Sequence, residues 1–150
     1  MTALSVFVYG TLRPGQVNYP IVQSAVAGHV EARLDGHSLR AAAHAHFPYA
    51  IDDLGHHVVG VLLRLKSGSE SATLARLDVL EGYRTTSPET SHYRRVTCPV
   101  ITAAGSSYGP AETAVEAWVY LAGSLIPVIE LPLVDNGDWT TRRLPQQGWV

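Results

Sequence analysis

One acidic side chain in this sequence lies where an apolar one is expected. Leu74 and Leu77 precede Glu81 by seven and four residues, so on a helix all three would share the face that packs on the core. Burial and the negative end of the helix dipole would both raise the pKa of that carboxyl group. Such a group can take up a proton near neutral pH and return it. The alternative, which spacing alone slightly favours, is a solvated Glu81 at a frayed helix end.

A second candidate is the turn after the first apolar segment, which reads Gly-Thr-Leu-Arg-Pro-Gly over residues 10–15. Glycine permits close approach of the backbone, so that successive N–H groups can converge on an anion. The turn is neither a P-loop nor a dinucleotide-binding loop, because the residues that define those motifs are missing. Taken alone, this segment is most simply interpreted as a turn with no role in binding. Arg13 is either a partner for a carboxylate or a solvated surface residue.

The elements that would position these residues contain more strand than helix. Residues 26–51 are weakly patterned and are interpreted as two short strands joined near Asp35-Gly36. The apolar run 58–65 predicts a strand buried on both faces or within a barrel wall. Three further strands are predicted from β-branched and aromatic runs bounded by turn residues, over 4–9, 93–102 and 113–121.

Two helices complete the predicted α+β pattern. Ser67 and Glu70 have the spacing of a capping box, which predicts that the main helix starts there, and Gly82 is typical of its end. A short second helix is predicted from Asn18, as N-cap, through Ser24, because Pro20 is tolerated in a first turn.

Composition favours one domain spanning residues 1–150 and excludes several classes of protein. The net charge is -2 and charged residues make up 16%, which gives no electrostatic case for binding nucleic acid or an anionic membrane. The single cysteine, Cys98, cannot form an internal disulfide and is interpreted as a core residue. No signal-like or bilayer-length apolar stretch is present, so we expect a cytoplasmic protein.

Two other sequence motifs are better explained by structural roles than by catalysis or metal binding. Residues 105–109 have the Gly-x-Ser-x-Gly pattern of serine hydrolases, but Pro110 and a strand follow, and no histidine comes after His92. Four histidines lie near one another in the sequence, but their spacing supplies no third ligand, and no metal is predicted. These residues are His44, His46, His56 and His57.

Four segments in this order resemble the gamma-glutamylcyclotransferase-like family. They are YGTL at residues 9–12, LDVLEGY at 77–83, YRR at 93–95 and GDW at 137–139, and the resemblance covers most of the chain. It implies that the strands close into a small mixed barrel and that Glu81 is the general acid–base in a pocket. Pro48-Tyr49-Ala50 resembles a proline-containing segment that helps wall the family's pocket, and Tyr120 and Trp139 could line the pocket as well. For each of these, packing in the core or at its rim is the favoured interpretation.

The resemblance also implies a reaction. A gamma-glutamyl compound would undergo intramolecular aminolysis to 5-oxoproline and a free amine, with no metal or cofactor. Backbone groups of Tyr9, Gly10, Thr11 and Leu12 would hold the α-amino and carboxylate ends of the substrate, and Tyr93 would lie near it. A second hypothesis is a non-catalytic module that binds a small ligand in the same pocket. A third is an interaction protein that docks through its proline-rich tail from Leu125.

Overall fold

The computed structural model describes residues 4–42, 47–84, 86–87, 90–124 and 128–142. Five strands occur in the order β1 Ser5–Val8, β2 Val26–Ala41, β3 Pro48–Leu65, β4 Tyr93–Thr102 and β5 Thr113–Ala122. Helix α1, Glu70–Leu80, connects β3 to β4. Short 3-10 helices occupy Tyr19–Ile21, Gln23–Ala25, Val128–Glu130 and Trp139–Thr141.

The strands form a closed barrel in the order β1-β3-β2-β4-β5. Closure comes from β1, which pairs with β5 in parallel through Ser5↔Ala117 and Val6↔Trp118. The pairs β1–β3, β2–β3, β2–β4 and β4–β5 are antiparallel. The predicted α+β class, with a small mixed barrel and one main helix, is therefore confirmed.

The segment over residues 26–51 differs from its prediction. Strand β2 runs without interruption through Asp35-Gly36 and pairs with β3 from Val26↔Leu65 to Ala41↔Pro48. The register shifts between Asp35 and His37, and Gly36 has a φ of 74°. Between these two residues Gly36 alone stands opposite residues 53–56 of β3, so the extra residues of this irregularity belong to β3. The Asp-Gly pair therefore lies within one long strand, and the apolar run 58–65 is the second half of β3.

The predicted capping box at the start of the main helix is wrong. Helix α1 begins at Glu70 with Ser69 as its N-cap. The Glu70 carboxylate accepts a hydrogen bond from the backbone N–H of Leu4 at 2.7 Å and one from the indole N–H of Trp118 at 3.4 Å. Because Glu70 bonds to these groups, it ties the helix start to the barrel and does not bond back to Ser67.

The predicted short helix also differs. Residues 19–25 form two 3-10 turns, and no side-chain cap is made by Asn18. The Asn18 amide instead donates to the Thr11 hydroxyl at 2.8 Å. Residues 105–110 form a turn closed by a bridge between Ser106 and Gly109, so the serine pattern there lies in a connection between β4 and β5. His44 and His46 lie outside the described residues.

Alternate positions of the strands fill two apolar clusters, as the two faces of a strand require. In β1, Val6 and Val8 pack in one cluster, which also contains Leu74 and Leu77 of α1. Phe7 packs in the other cluster, which also contains Trp139 and has the partly buried Cys98 against it. Strand β3 contributes to both clusters, so the prediction that its second half is buried on both faces is confirmed. No helix among the described residues is long and apolar enough to cross a membrane.

Candidate active site

A cavity of about 320 Å³ lies where the end of β1 and the following turn meet the end of α1 and the first residues of β3 and β4. This volume is in the range of small-molecule sites. The structure brings all of the residues predicted for the site to the wall of this cavity: Tyr9, Gly10, Thr11, Leu12, Glu81 and Tyr93.

Glu81 is held in place by the way helix α1 ends. It is the C-cap residue, and Gly82 follows with a φ of 65°. The Tyr83 N–H donates to the Asp78 carbonyl at 2.8 Å and the Gly82 N–H to the Val79 carbonyl at 3.2 Å. These two bonds form a Schellman motif, which requires the left-handed conformation that glycine adopts freely. The end of the helix is therefore ordered, and the side chain of Glu81 is directed by it.

The Glu81 carboxyl group is half-buried in the cavity and has no hydrogen-bond donor among the described residues. Burial raises the pKa of Glu81 from 4.5 to about 7. The cause is loss of hydration, which penalises the charged form. At neutral pH the group is consequently divided between its protonated and ionised forms, as a proton carrier requires.

Backbone hydrogen bonds fix the glycine turn beside Glu81. The Gly10 carbonyl accepts from the Arg13 N–H at 3.1 Å, and the Thr11 carbonyl accepts from the Asn18 N–H at 2.8 Å. The N–H groups of Gly10, Thr11 and Leu12 have no acceptor within the part of the chain that the structure describes. Three consecutive amide donors are therefore available to a ligand in a turn that is fixed through the carbonyl groups of Gly10 and Thr11.

Residue 10 must be glycine because the backbone of this turn lies close to the ring of Pro48. A Cβ atom at Gly10 would lie 2.7 Å from Cγ of Pro48, inside van der Waals contact with a rigid ring. Pro48 also lines the cavity, which is the role that the family resemblance offered as the alternative to core packing.

Two buried tyrosines support the cavity wall. The Tyr9 hydroxyl donates to the backbone carbonyl of Tyr120, and the Tyr93 hydroxyl donates to that of Pro48 at 2.7 Å. Burial raises the pKa of both tyrosines far above the ordinary value, so both stay protonated. These hydroxyls are committed to the backbone, and the rings are thereby fixed in position.

Asp78 lies one helical turn before Glu81 and anchors this end of α1 to the barrel. Its carboxylate accepts from Arg95 Nε at 2.9 Å, from Arg95 Nη2 at 3.2 Å and from the Tyr120 hydroxyl at 2.5 Å. The Arg95 guanidinium also lies 4.6 Å from the centre of the Trp118 ring. Charge-assisted bonds to an arginine fork fix geometry as well as charge. Asp78 thus holds the helix end against β4 and β5.

Arg13 is neither a solvated residue nor part of the cavity wall. It is buried, and its guanidinium lies 2.8 Å from the Asp138 carboxylate. Asp138 also accepts the Thr140 N–H at the start of a 3-10 helix. The Gly-Asp-Trp segment is therefore an anchor for the glycine turn.

Several lining residues were missed by the sequence analysis or given another role. Asn18, Phe47 and His92 lie in weakly patterned segments, and nothing in their spacing indicates a shared site. For Tyr120 core packing was favoured and a place in the pocket was the alternative; the side chain is buried and also lines the cavity. Tyr49 and Trp139 are buried core residues, as expected. No group of three potential metal ligands occurs among the described residues.

Comparisons with solved structures show the same fold. An AIG2-like protein from Mus musculus has 22% identity and a TM-score of 0.67, with 99% of each chain covered. The protein PH0828 from Pyrococcus horikoshii has 20% identity and a TM-score of 0.58, with 91% of this chain and 90% of that chain covered. The E. coli protein c4763 has 23% identity and a TM-score of 0.53, with 93% and 94% covered.

A search of curated proteins finds no match to this chain. The model of the family described as gamma-glutamyl cyclotransferase, AIG2-like, matches residues 6–141. The match spans most of the 150 residues, including both Glu81 and the glycine turn. The chain therefore belongs to the gamma-glutamyl cyclotransferase, AIG2-like family.

Proposed function

We propose that this protein is a gamma-glutamylcyclotransferase-type enzyme that converts a gamma-glutamyl amide to 5-oxoproline and a free amine. The observation that carries the proposal is the unpaired Glu81 carboxyl group, with a pKa of about 7, in the same cavity as three unbonded backbone amides. Membership of the family supports this class of reaction.

The two ends of the site suit the two charges of a glutamyl group. The N–H groups of Gly10, Thr11 and Leu12 are donors for the α-carboxylate, since consecutive amides bind anions without a cationic side chain. Ionised Glu81 is the acceptor for the α-ammonium group. Because the turn and the helix end are each fixed by their own hydrogen bonds, the distance between these two subsites is set before the substrate binds.

In this proposal Glu81 first takes a proton from the α-ammonium group, which frees the amine. The nitrogen then attacks the gamma-carbonyl carbon of the same molecule, a C–N bond forms, and negative charge moves to the carbonyl oxygen. As the amide bond breaks and the carbonyl is restored, the leaving nitrogen gains two protons and departs as an ammonium ion. The attacking nitrogen has lost the same two protons, and Glu81 relays them between the nitrogens.

No nucleophilic side chain is needed, because the substrate supplies its own amine at high effective concentration. The protein contributes a base of suitable pKa and amide dipoles that stabilise the developing oxyanion. The Tyr9 and Tyr93 hydroxyls are not candidates for proton transfer in this scheme, since both are bonded to backbone carbonyls and are held protonated by burial.

The test is product formation from a panel of gamma-glutamyl amides, dipeptides and glutathione, with 5-oxoproline measured by mass spectrometry. We expect 5-oxoproline and the free amine in equal amounts from at least one class of substrate. Saturable binding of these compounds with no product at any pH between 6 and 9 would instead select a non-catalytic binding module.

A further inference from the structure

The proposed reaction uses more hydrogen-bond donors than the glycine turn supplies. The α-carboxylate of the substrate has two oxygens that together accept up to about four hydrogen bonds, and each backbone N–H donates one. That carboxylate can therefore use all three N–H groups of Gly10, Thr11 and Leu12, which have no acceptor among the described residues. Negative charge also develops on the γ-carbonyl oxygen during attack, so this oxygen gains from a further donor in another part of the cavity.

Most of the side-chain donors in the described lining are already committed. Besides Glu81, the side chains that can donate are Tyr9, Thr11, Asn18, His92, Tyr93 and Tyr120. The three tyrosine hydroxyls donate within the protein, two of them to backbone carbonyls and that of Tyr120 to Asp78. The Asn18 amide donates to the Thr11 hydroxyl at 2.8 Å beside the glycine turn, at the end assigned to the α-carboxylate. The donor that remains is His92, which directly precedes β4.

His92 is fixed beside the helix end that carries Glu81. Its backbone N–H donates to the Gly82 carbonyl at 3.1 Å, and its carbonyl accepts from the Gly123 N–H at 2.9 Å. The imidazole packs edge-on against the Tyr93 ring, with 5.1 Å between the ring centres. In the proposed reaction the α-nitrogen at Glu81 must reach the γ-carbonyl carbon, so the carbonyl oxygen comes close to this helix end. His92 is therefore the side-chain donor best placed to meet that oxygen.

A hydrogen bond from Tyr49 determines which nitrogen of the His92 ring is the donor. The Tyr49 hydroxyl lies 2.6 Å from Nε2 and 3.4 Å from Nδ1, so Nε2 is the bonded atom. Because Tyr49 is buried and its hydroxyl has no other partner among the described residues, the hydroxyl donates its hydrogen to Nε2. Burial lowers the pKa of His92, and the ring is neutral at physiological pH. A neutral ring that accepts at Nε2 carries its own hydrogen on Nδ1 and can offer it to a ligand in the cavity.

We propose that the His92 imidazole donates its Nδ1 hydrogen bond to the γ-carbonyl oxygen of the substrate and stabilises the oxyanion that forms there, with Tyr49 as the positioning residue that fixes the tautomer of the ring. The hydrogen stays on the imidazole throughout, and both protons of the reaction still pass through Glu81. Since Glu81 is protonated when the oxyanion forms, the oxyanion does not face a second negative charge. This inference rests on the proposed function, from which it takes the position of the γ-carbonyl group.

Two substitutions of His92 separate a hydrogen-bond donor from a residue that only packs. His92→Phe keeps an aromatic ring but removes the N–H. It should lower kcat about 10- to 100-fold with little change in KM, less than the loss of a donor from an enclosed oxyanion hole, because His92 is exposed on one side. His92→Asn loses the ring but keeps an N–H donor near the position of Nδ1, and should retain a kcat at least about fivefold above that of His92→Phe. If the ring only packs, the order reverses, and normal turnover in His92→Phe would overturn the inference.

The matched control is His29→Phe, at an exposed histidine of β2 outside the cavity lining, and it should leave kcat unchanged. Melting temperatures of all variants show whether a loss of kcat reflects a loss of folded protein.

The tautomer provides a test that does not depend on activity. Nitrogen NMR of the imidazole rings, with the His92 signals assigned by their absence from His92→Phe, should show the hydrogen on Nδ1 in the wild type. Tyr49→Phe removes the hydrogen bond to Nε2, so part of the population should carry the hydrogen on Nε2 and kcat should fall about two- to fivefold. A wild-type ring with its hydrogen on Nε2 alone would overturn the inference and leave the proposed function intact. Absence of 5-oxoproline from the wild type with every substrate of the panel would overturn the proposed function itself, and the role of His92 in it.

Discussion

Replacing Glu81 with glutamine tests the acid–base proposal with little change in shape. Glutamine keeps the size of the side chain and resembles the protonated carboxyl group, but it cannot take up a proton. General acid–base catalysis is commonly worth about 10²- to 10⁴-fold in rate. We therefore expect kcat of Glu81→Gln to fall by at least about 100-fold, with a much smaller change in KM.

The same substitution should stabilise the folded protein at high pH. A Glu81 pKa raised from 4.5 to about 7 corresponds to about 3 kcal/mol, an upper limit. Because the folded state binds this proton more tightly than the unfolded state, the stabilisation is complete below pH 4.5 and is lost as the pH rises through about 7. Glutamine does not ionise, so the variant does not lose this stability as the pH rises. The melting temperature of Glu81→Gln should thus match the wild type at pH 4 and exceed it at pH 8, by up to roughly 10 °C for a chain of this size.

The assay combines 5-oxoproline release by mass spectrometry with calorimetric unfolding across pH 4–8. Wild-type kcat/KM should rise as the pH increases through about 7, since the base must be ionised. Glu116→Gln, at an exposed residue of β5 outside the cavity lining, is the matched control and should change neither activity nor the pH dependence of melting.

Two results would refute this reasoning separately. Normal turnover by Glu81→Gln would show that another group moves the proton. Loss of turnover together with a lower melting temperature at pH 8 would show that the ionised carboxylate is stabilised in the fold, contrary to its desolvated position.

Two further predictions concern the parts that position the site. Gly10→Ala should lower kcat/KM about 10- to 100-fold, because the added Cβ lies 2.7 Å from Pro48 Cγ and the turn must shift. Gly10→Ala with Pro48→Ala should recover part of the loss, and wild-type activity in the single variant would contradict the close approach. Asp78→Asn should reduce the free energy of unfolding by about 1–3 kcal/mol in urea titrations, because Arg95, whose side chain is 16% exposed, loses its ionised partner. Adding Arg95→Met should restore part of this stability. Asp35→Asn is the control, because Asp35 forms an exposed pair with Arg33. If Asp78→Asn lowers the free energy of unfolding no more than Asp35→Asn does, Asp78 is not an anchor.

The features that the sequence predicted well depend on neighbours along the chain. The bounds of β4 agree with its prediction, and β5 extends one residue further, because their alternating patterns and flanking turns are local. Spacing to Leu74 and Leu77, both of which are buried, places Glu81 on the face of the helix that packs on the core, but it was the family resemblance that favoured the pocket over solvent for its side chain. Gly82 ends the main helix for a local reason as well, since its backbone conformation closes the Schellman motif.

The features that could not be predicted depend on partners distant in sequence. The capping box fails because Glu70 bonds to Leu4, 66 residues away, and a local motif carries no information about that partner. Tyr120 joins the cavity wall because β5 pairs with β1 and brings its carbonyl to the Tyr9 hydroxyl. Phe47 and His92 meet only through the folded ends of β3 and β4. Closure of the barrel came from the family resemblance, since periodicity within a strand does not specify its neighbour.

The burial that gives Glu81 a useful pKa also makes its ionised form costly, so the helix end must be held in place. An unanchored last turn would rotate outward and return the carboxylate to water, which is the solvated arrangement that spacing alone slightly favoured. Asp78 opposes this motion through Arg95 and Tyr120, and the Schellman bonds at Gly82 oppose it within the helix. A cost of about 3 kcal/mol is a substantial part of the 5–15 kcal/mol that stabilises a typical domain. Weakening the anchor should therefore solvate Glu81 and lower its pKa before it unfolds the barrel, and the midpoint of the pH–rate profile of Asp78→Asn should move toward lower pH.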